Sequence, residues 1–233
     1  MSEPAPKLVP SAFASLMTVA GLTWTRLLRG RALVVAVVIA LLPIAYCAFA
    51  GPRVGPELFV FELLTASVLA PMFVAASIGE EIEDRTTTYL WSRPVPRWTI
   101  IAGKLVALVP VVTAVVLGSW IVANQIAWKM MPDERTMAAL AIGVAALSIL
   151  SAGVASLAPR HGMALSIVYI LFFDSPLGVL PATIRELSMT QQIRAVSGIW
   201  SGNGELKTPL IVLAILCAIW GLIAAARIRR LEA

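Results

Sequence analysis

Six apolar runs, each about as long as a bilayer is thick, fill most of this 233-residue chain. A helix needs roughly 20 apolar residues to cross the hydrocarbon. The runs at about Ala32–Ala50, Glu57–Ile78, Thr99–Trp128, Thr136–Ala158, Met163–Pro181 and Thr208–Ala226 meet that length. Lipid offers backbone groups no hydrogen-bond partners, so such runs fold as helices. At 59% hydrophobic and 13% charged, the chain departs from soluble domains, where about a quarter of residues are charged. The sequence therefore predicts an all-α integral membrane protein with six transmembrane helices and little mass outside the bilayer.

An even number of spans places both termini on one side. With the termini inside, the inner segments hold 12 of the 18 basic residues and the outer segments 6. That bias predicts cytoplasmic amino and carboxyl termini, and it accounts for the net charge of +5 without invoking nucleic acid. Residues 1–31 then form a cytoplasmic tail and an interfacial helix. Phe13, Leu16, Met17, Ala20, Trp24, Leu27 and Leu28 recur at helical spacing opposite Ser11, Ser15, Thr18, Thr25, Arg26 and Arg29. Residues 32–226 are the six-helix transmembrane domain, and residues 227–233 a short tail whose Arg227, Arg229 and Arg230 suit anionic headgroups. The outer segment 182–207 carries two short apolar stripes, Leu180, Ile184 and Leu187, then Met189, Ile193, Val196 and Trp200. They predict two short helices at the outer interface, with Gly198, Gly202 and Gly204 turning the chain into the last span.

Charge is densest in segment 79–98, between the second and third runs. Glu80, Glu81, Glu83, Asp84, Arg85, Arg93 and Arg97 fall there, in a chain with only 31 charges. Glu80 to Trp91 suits a short helix with an i,i+4 pair between Glu81 and Arg85 and an apolar face of Ile82, Tyr89 and Leu90. Pro94 and Pro96 end it in a rigid corner, and Lys104 is placed to snorkel to the headgroups. A solvated loop following the charge bias would need neither the four acids nor the exposed Tyr89, Leu90 and Trp91.

This stretch resembles the signature region of the permease subunits of type-2 ABC exporters. The matching residues are Gly79, Glu80, Glu81, Arg85, Thr86, Tyr89, Leu90, Arg93, Pro94, Val95, Arg97, Gly103 and Lys104. Trp91 departs from the pattern, which more often has a smaller aliphatic residue there. The resemblance implies a coupling helix between spans 2 and 3 that seats on a cytoplasmic ABC ATPase. The ATPase-coupling residues would be Glu80, Glu81, Glu83, Asp84, Arg85, Tyr89, Leu90, Arg93, Pro94 and Arg97. It implies two ATPase copies, a second permease copy or a paralogous one, membrane lipid as surroundings, and a bacterial inner (plasma) membrane location. No cofactor is expected on this chain; ATP and Mg belong on the partner subunit.

The chain itself is expected to be no enzyme. Its one Gly-Lys pair, Gly103-Lys104, has Trp98 where a phosphate-cradling loop needs its first Gly and Leu105 where it needs Ser or Thr. A single histidine, His161, in an inner turn makes no metal set, and neither Cys47 nor Cys217 has ligand spacing. Glu62 and Asp174 are the acidic residues closest to the hydrocarbon, each near the outer end of its run, and Asn124 lies near the outer end of the third; all three are candidates for a substrate path. A proton-coupled carrier or channel using Glu62 or Asp174 is the alternative reading.

Overall fold

The computed structural model describes residues 11–51, 55–83, 96, 98–180, 183–199 and 206–228, all helix or connection. Five of its helices are long and apolar enough to cross a membrane. Helix α1 (Ala12–Arg29) precedes them, and α2 (Ala32–Ala50), α3 (Glu57–Glu83), α4 (Trp98–Trp128) and α5 (Glu134–Leu157) follow in order. After a 3-10 turn at Pro159–His161 come α6 (Gly162–Val168), a π-helical stretch (Tyr169–Asp174) and α7 (Ser175–Leu177). A second 3-10 turn (Thr183–Leu187), the short α8 (Met189–Ser197) and the last long helix α9 (Lys207–Ile228) complete the chain.

Helices α3 and α5 form the centre. Of their apolar stretches 72% and 67% is buried, against 22%, 33% and 11% for α2, α4 and α9. Helices α2, α4 and α6 surround α3, while α4, α8 and α9 surround α5. Small residues set these approaches, because a bundle in lipid gains from close backbone packing. Ser148, Ala152 and Ser156 are buried on α5, as their spacing predicts. A side chain at Gly153 would meet Trp220 of α9 at 2.6 Å. The 31 residues of α4 rise roughly 46 Å, well beyond the ~30 Å of hydrocarbon, with the half-exposed Trp98 and Trp128 at its two ends.

The fifth run is not the single helix over Met163–Pro181 that its composition predicts. It winds as α6, widens into the π stretch and ends at Leu177. Pro176 has no N–H for the carbonyl four residues back, and its ring crowds that turn. The helix widens there: Ser175 donates its N–H to Ile170, five residues back.

Helix α1 also differs from its predicted faces. Ser15, Val19 and Leu27 are buried, with α4 as its main neighbour, although Ser15 was expected on the polar side. Phe13, Met17, Trp24 and Leu28 form a separate exposed strip. Gly103 permits the α1–α4 crossing: a side chain there would meet the Leu16 carbonyl at 2.8 Å and Val19 at 3.0 Å.

Residues 183–197 fold as the 3-10 turn followed by the short helix α8. Met189, Ile193 and Val196 are buried on α8, whereas Ile184 and Leu187 on the preceding turn are exposed. Ser188 caps α8 by accepting the Gln191 N–H, and Gly198, at φ 74°, ends it in a left-handed turn. Trp200, Gly202 and Gly204 lie outside the described residues.

Candidate functional site

At one end of the bundle α3 leaves and α4 returns. Three contacts hold this end together. Lys104 on α4 donates from Nζ to the Ser77 carbonyl on α3. Gly79 on α3 lies so close to the 3-10 turn that a side chain there would sit 3.0 Å from the Pro159 carbonyl. The α1 crossing at Gly103 completes it. Lys104 is 2% exposed, so it does not snorkel as expected; its ammonium turns inward to the α3 carbonyl.

Glu80, Glu81 and Glu83 continue α3 beyond its apolar stretch, which ends at Gly79. The segment therefore begins as an extension of the most buried helix, and only the backbone of these residues is described. Asp84, Arg85, Tyr89, Leu90, Arg93, Pro94 and Arg97 lie outside the described residues. Arg160 and His161 stand exposed in the adjacent turn.

Glu62, Asp174 and Asn124 fall in three different surroundings. Glu62 is fully buried, not within reach of water as its place near the start of α3 suggests. Its Oε2 accepts from Ser119 Oγ on α4 at 3.2 Å, and that hydroxyl also lies 2.8 Å from the Ala40 carbonyl on α2. Oε1 has no hydrogen-bond partner. Helices α2 and α4 reach past the start of α3, so an end-of-run position in one helix is an interior position in the bundle. Ser119 was not anticipated; a lone serine in an apolar run gives no signal of its partner 57 residues away.

Asp174 is 2% exposed. Its Oδ1 accepts the Met189 N–H at 2.8 Å and its Oδ2 the Thr190 N–H at 2.8 Å, while Ser188 Oγ donates to its carbonyl at 2.8 Å. It thus caps α8 from another element and fastens the π stretch to it. From this anchor α8 runs along α5: Ile193 lies on Gly143, and Arg135 Nε donates to the Val196 carbonyl at 2.8 Å. Burial lowers the pKa of the Arg194 guanidinium, an effect that the charge of Asp174 opposes.

Asn124 is buried on α4 and donates to the Trp120 carbonyl at 2.8 Å. It lines a cavity of about 340 Å³ at the end of the bundle opposite the charged segment. Phe59, Trp120 and Trp128 supply apolar walls, and Thr136 and Asp133 enter from the start of α5. The rings of Phe59 and Trp120 meet edge to face, centroids 5.7 Å apart, and Trp120 Nε1 donates to Thr136 Oγ1 at 3.3 Å. The sequence placed Trp128 at the end of the third run and signalled Asn124 as polar. Nothing in it joined them to Phe59 on another helix. Among the described residues no group of three or more His, Cys, Asp or Glu side chains is placed to hold a metal.

No family model matches this chain, and no curated protein matches it.

Proposed function

We propose that this chain is the membrane-spanning permease subunit of an ATP-driven exporter of the type-2 ABC kind, working with a separate ATPase. One observation carries the reading: the charged segment is rooted in α3, the most buried long helix, and returns through α4, which is tied to α3 by Lys104. A protein binding that segment would pull directly on the core of the bundle. In this reading the broken stretch 162–180 completes six spans, both termini are cytoplasmic, and α1 lies in the inner interface with its Phe13, Met17, Trp24 and Leu28 strip in lipid. Two permeases and two ATPases assemble in a bacterial plasma membrane, and ATP and Mg bind the partner alone. A coupling segment shifts the spans only if the ATPase binds it better in one conformation than in the other.

The test is co-expression with an ATPase encoded beside this chain, followed by purification in detergent. Because α3 runs through Glu83, the informative variant replaces 84–95 with a Gly-Ser linker of equal length and leaves α3 whole. The replacement should release the ATPase while the permease keeps its melting temperature. Undiminished co-purification overturns the coupling role. The unpaired Oε1 of Glu62 is the one observation favouring a proton-coupled carrier. That reading requires uptake or efflux in vesicles driven by a pH gradient without ATP.

A further inference from the structure

We infer that the cavity between α3, α4 and the start of α5 is a binding site for a small organic cation with an apolar body, such as a quaternary ammonium. Its volume of about 340 Å³ falls within the ~300–1,000 Å³ of small-molecule sites. Three aromatic rings, Phe59, Trp120 and Trp128, face a space with few polar groups. Aromatic faces carry negative potential, and a cation against them gains most where water is excluded. Phe59, Trp120 and Asn124 are buried, whereas Trp128 is 37% exposed, so the cavity has a closed floor and an open side.

Two carboxylates stand by the opening. Among the described residues Asp133 is the only charged one in the lining, and it is exposed at the rim. Glu57 folds its carboxylate over Gly55, also in the lining, so closely that a side chain on Gly55 would meet Oε2 at 2.6 Å. Arg135, two residues beyond Asp133, directs its Nε to the Val196 carbonyl. The start of α5 does not recruit an anion either, since Asp133 Oδ2 already accepts the Arg135 N–H at 3.1 Å. Carboxylates at the mouth draw a cation in, and the rings hold its apolar body. The site lies wholly within one copy of the chain, at the end opposite the charged segment, and does not depend on an ATPase.

Isothermal titration of the purified chain, in nanodiscs of phosphatidylglycerol, with benzyltrimethylammonium tests this. N,N-dimethylbenzamide, neutral and of similar size, and benzenesulfonate, an anion, are the controls. Saturable binding is expected for the cation, with both controls at least tenfold weaker. Trp128→Ala should weaken it roughly three- to thirtyfold. Asp133→Asn keeps a good helix cap and should still weaken it about threefold or more. Should Trp128→Ala fail to fold, Trp128→Leu retains the apolar bulk and lacks the ring. Equal binding of cation and benzamide overturns the inference. So does an affinity unchanged by both folded variants. Repeating the titration in phosphatidylcholine identifies the source: competition assigns the site to a lipid headgroup, and unchanged affinity to a free cation.

Discussion

Asp174 offers the sharpest separation of a structural role from a transport role. Its carboxylate accepts two backbone N–H bonds of 2.8 Å at the start of α8 and a longer 3.3 Å approach from Ser188 Oγ. All three donors are buried, so removing the carboxylate strands them away from water. A buried donor left without a partner costs about 1–3 kcal/mol. Ser188 Oγ keeps the Asp174 carbonyl as an acceptor, which leaves two amides exposed to the loss. Asp174→Ala should therefore destabilise the attachment of α8 by about 2–6 kcal/mol. Asp174→Asn presents one oxygen and one NH2 group to the two amides, so it should cost about half as much.

The effect is local, because α8 is nine residues long and a helix of that length is not stable alone. Hydrogen exchange of peptides covering 188–198 is the fitting assay. Exchange should accelerate at least ~30-fold in Asp174→Ala for a 2 kcal/mol loss, with protection in the middle of α3 and α5 unchanged. Asp174→Asn should fall between wild type and Asp174→Ala. If both variants exchange as wild type does while transport is lost, the capping argument is wrong and Asp174 belongs to a substrate path.

Three further outcomes are measurable as melting temperatures in detergent. Gly103→Ala forces a methyl group onto the Leu16 backbone carbonyl at 2.8 Å, whereas Gly143→Ala meets only the Ile193 side chain at 2.9 Å. The first should cost about 1–3 kcal/mol and the second clearly less; a reversed order would refute the α1–α4 crossing. Glu62→Met removes a buried acceptor with an unpaired oxygen, and Ser119 keeps its Ala40 partner. The variant should be as stable as wild type or more so by about 1–3 kcal/mol, and a marked loss of stability would mean that Oε1 of Glu62 also has a partner in the folded bundle. Lys104→Met withdraws the donor to Ser77 and should lower stability by about 1–3 kcal/mol, with faster exchange at the ends of α3 and α4 that bound the charged segment. No change in either would deny Lys104 its place as the tie between them.

What the sequence disclosed followed from composition acting over a whole helix. Helices α2, α3, α4, α5 and α9 were legible because twenty apolar residues leave no other solution in lipid. The buried face of α8 was legible because Met189, Ile193 and Val196 repeat at helical spacing. Depth was not legible. Glu62 and Asp174 read as near-surface residues because each was measured along its own run. Their burial comes from α2 and α4 in one case and from α8 in the other. The break in the fifth run was equally hidden, since its composition is that of a span and only Pro176 hints at a wider turn. Close approaches at Gly143 and Gly153 depend on Ile193 and Trp220, 50 and 67 residues further on, and no local pattern names such a partner.

In the proposed reading, the same geometry suits the charged end of the bundle to receive force. A pull on an isolated loop dissipates in its own backbone, whereas a pull on Glu80–Glu83 acts on a continuous helix whose next six turns are packed on several neighbours. Lys104 commits α4 to follow through Ser77, and the Pro159–His161 turn follows through Gly79. Helix α4 in turn carries α1 at Gly103 and reaches the aromatic cavity with Trp120, Asn124 and Trp128. Helix α3 reaches the same cavity with Phe59. Tilting α3 and α4 by different amounts would therefore disturb the edge-to-face packing of Phe59 on Trp120, now 5.7 Å between centroids, and with it the cavity wall. The two helices that bound the segment at one end are the two that build most of the cavity at the other.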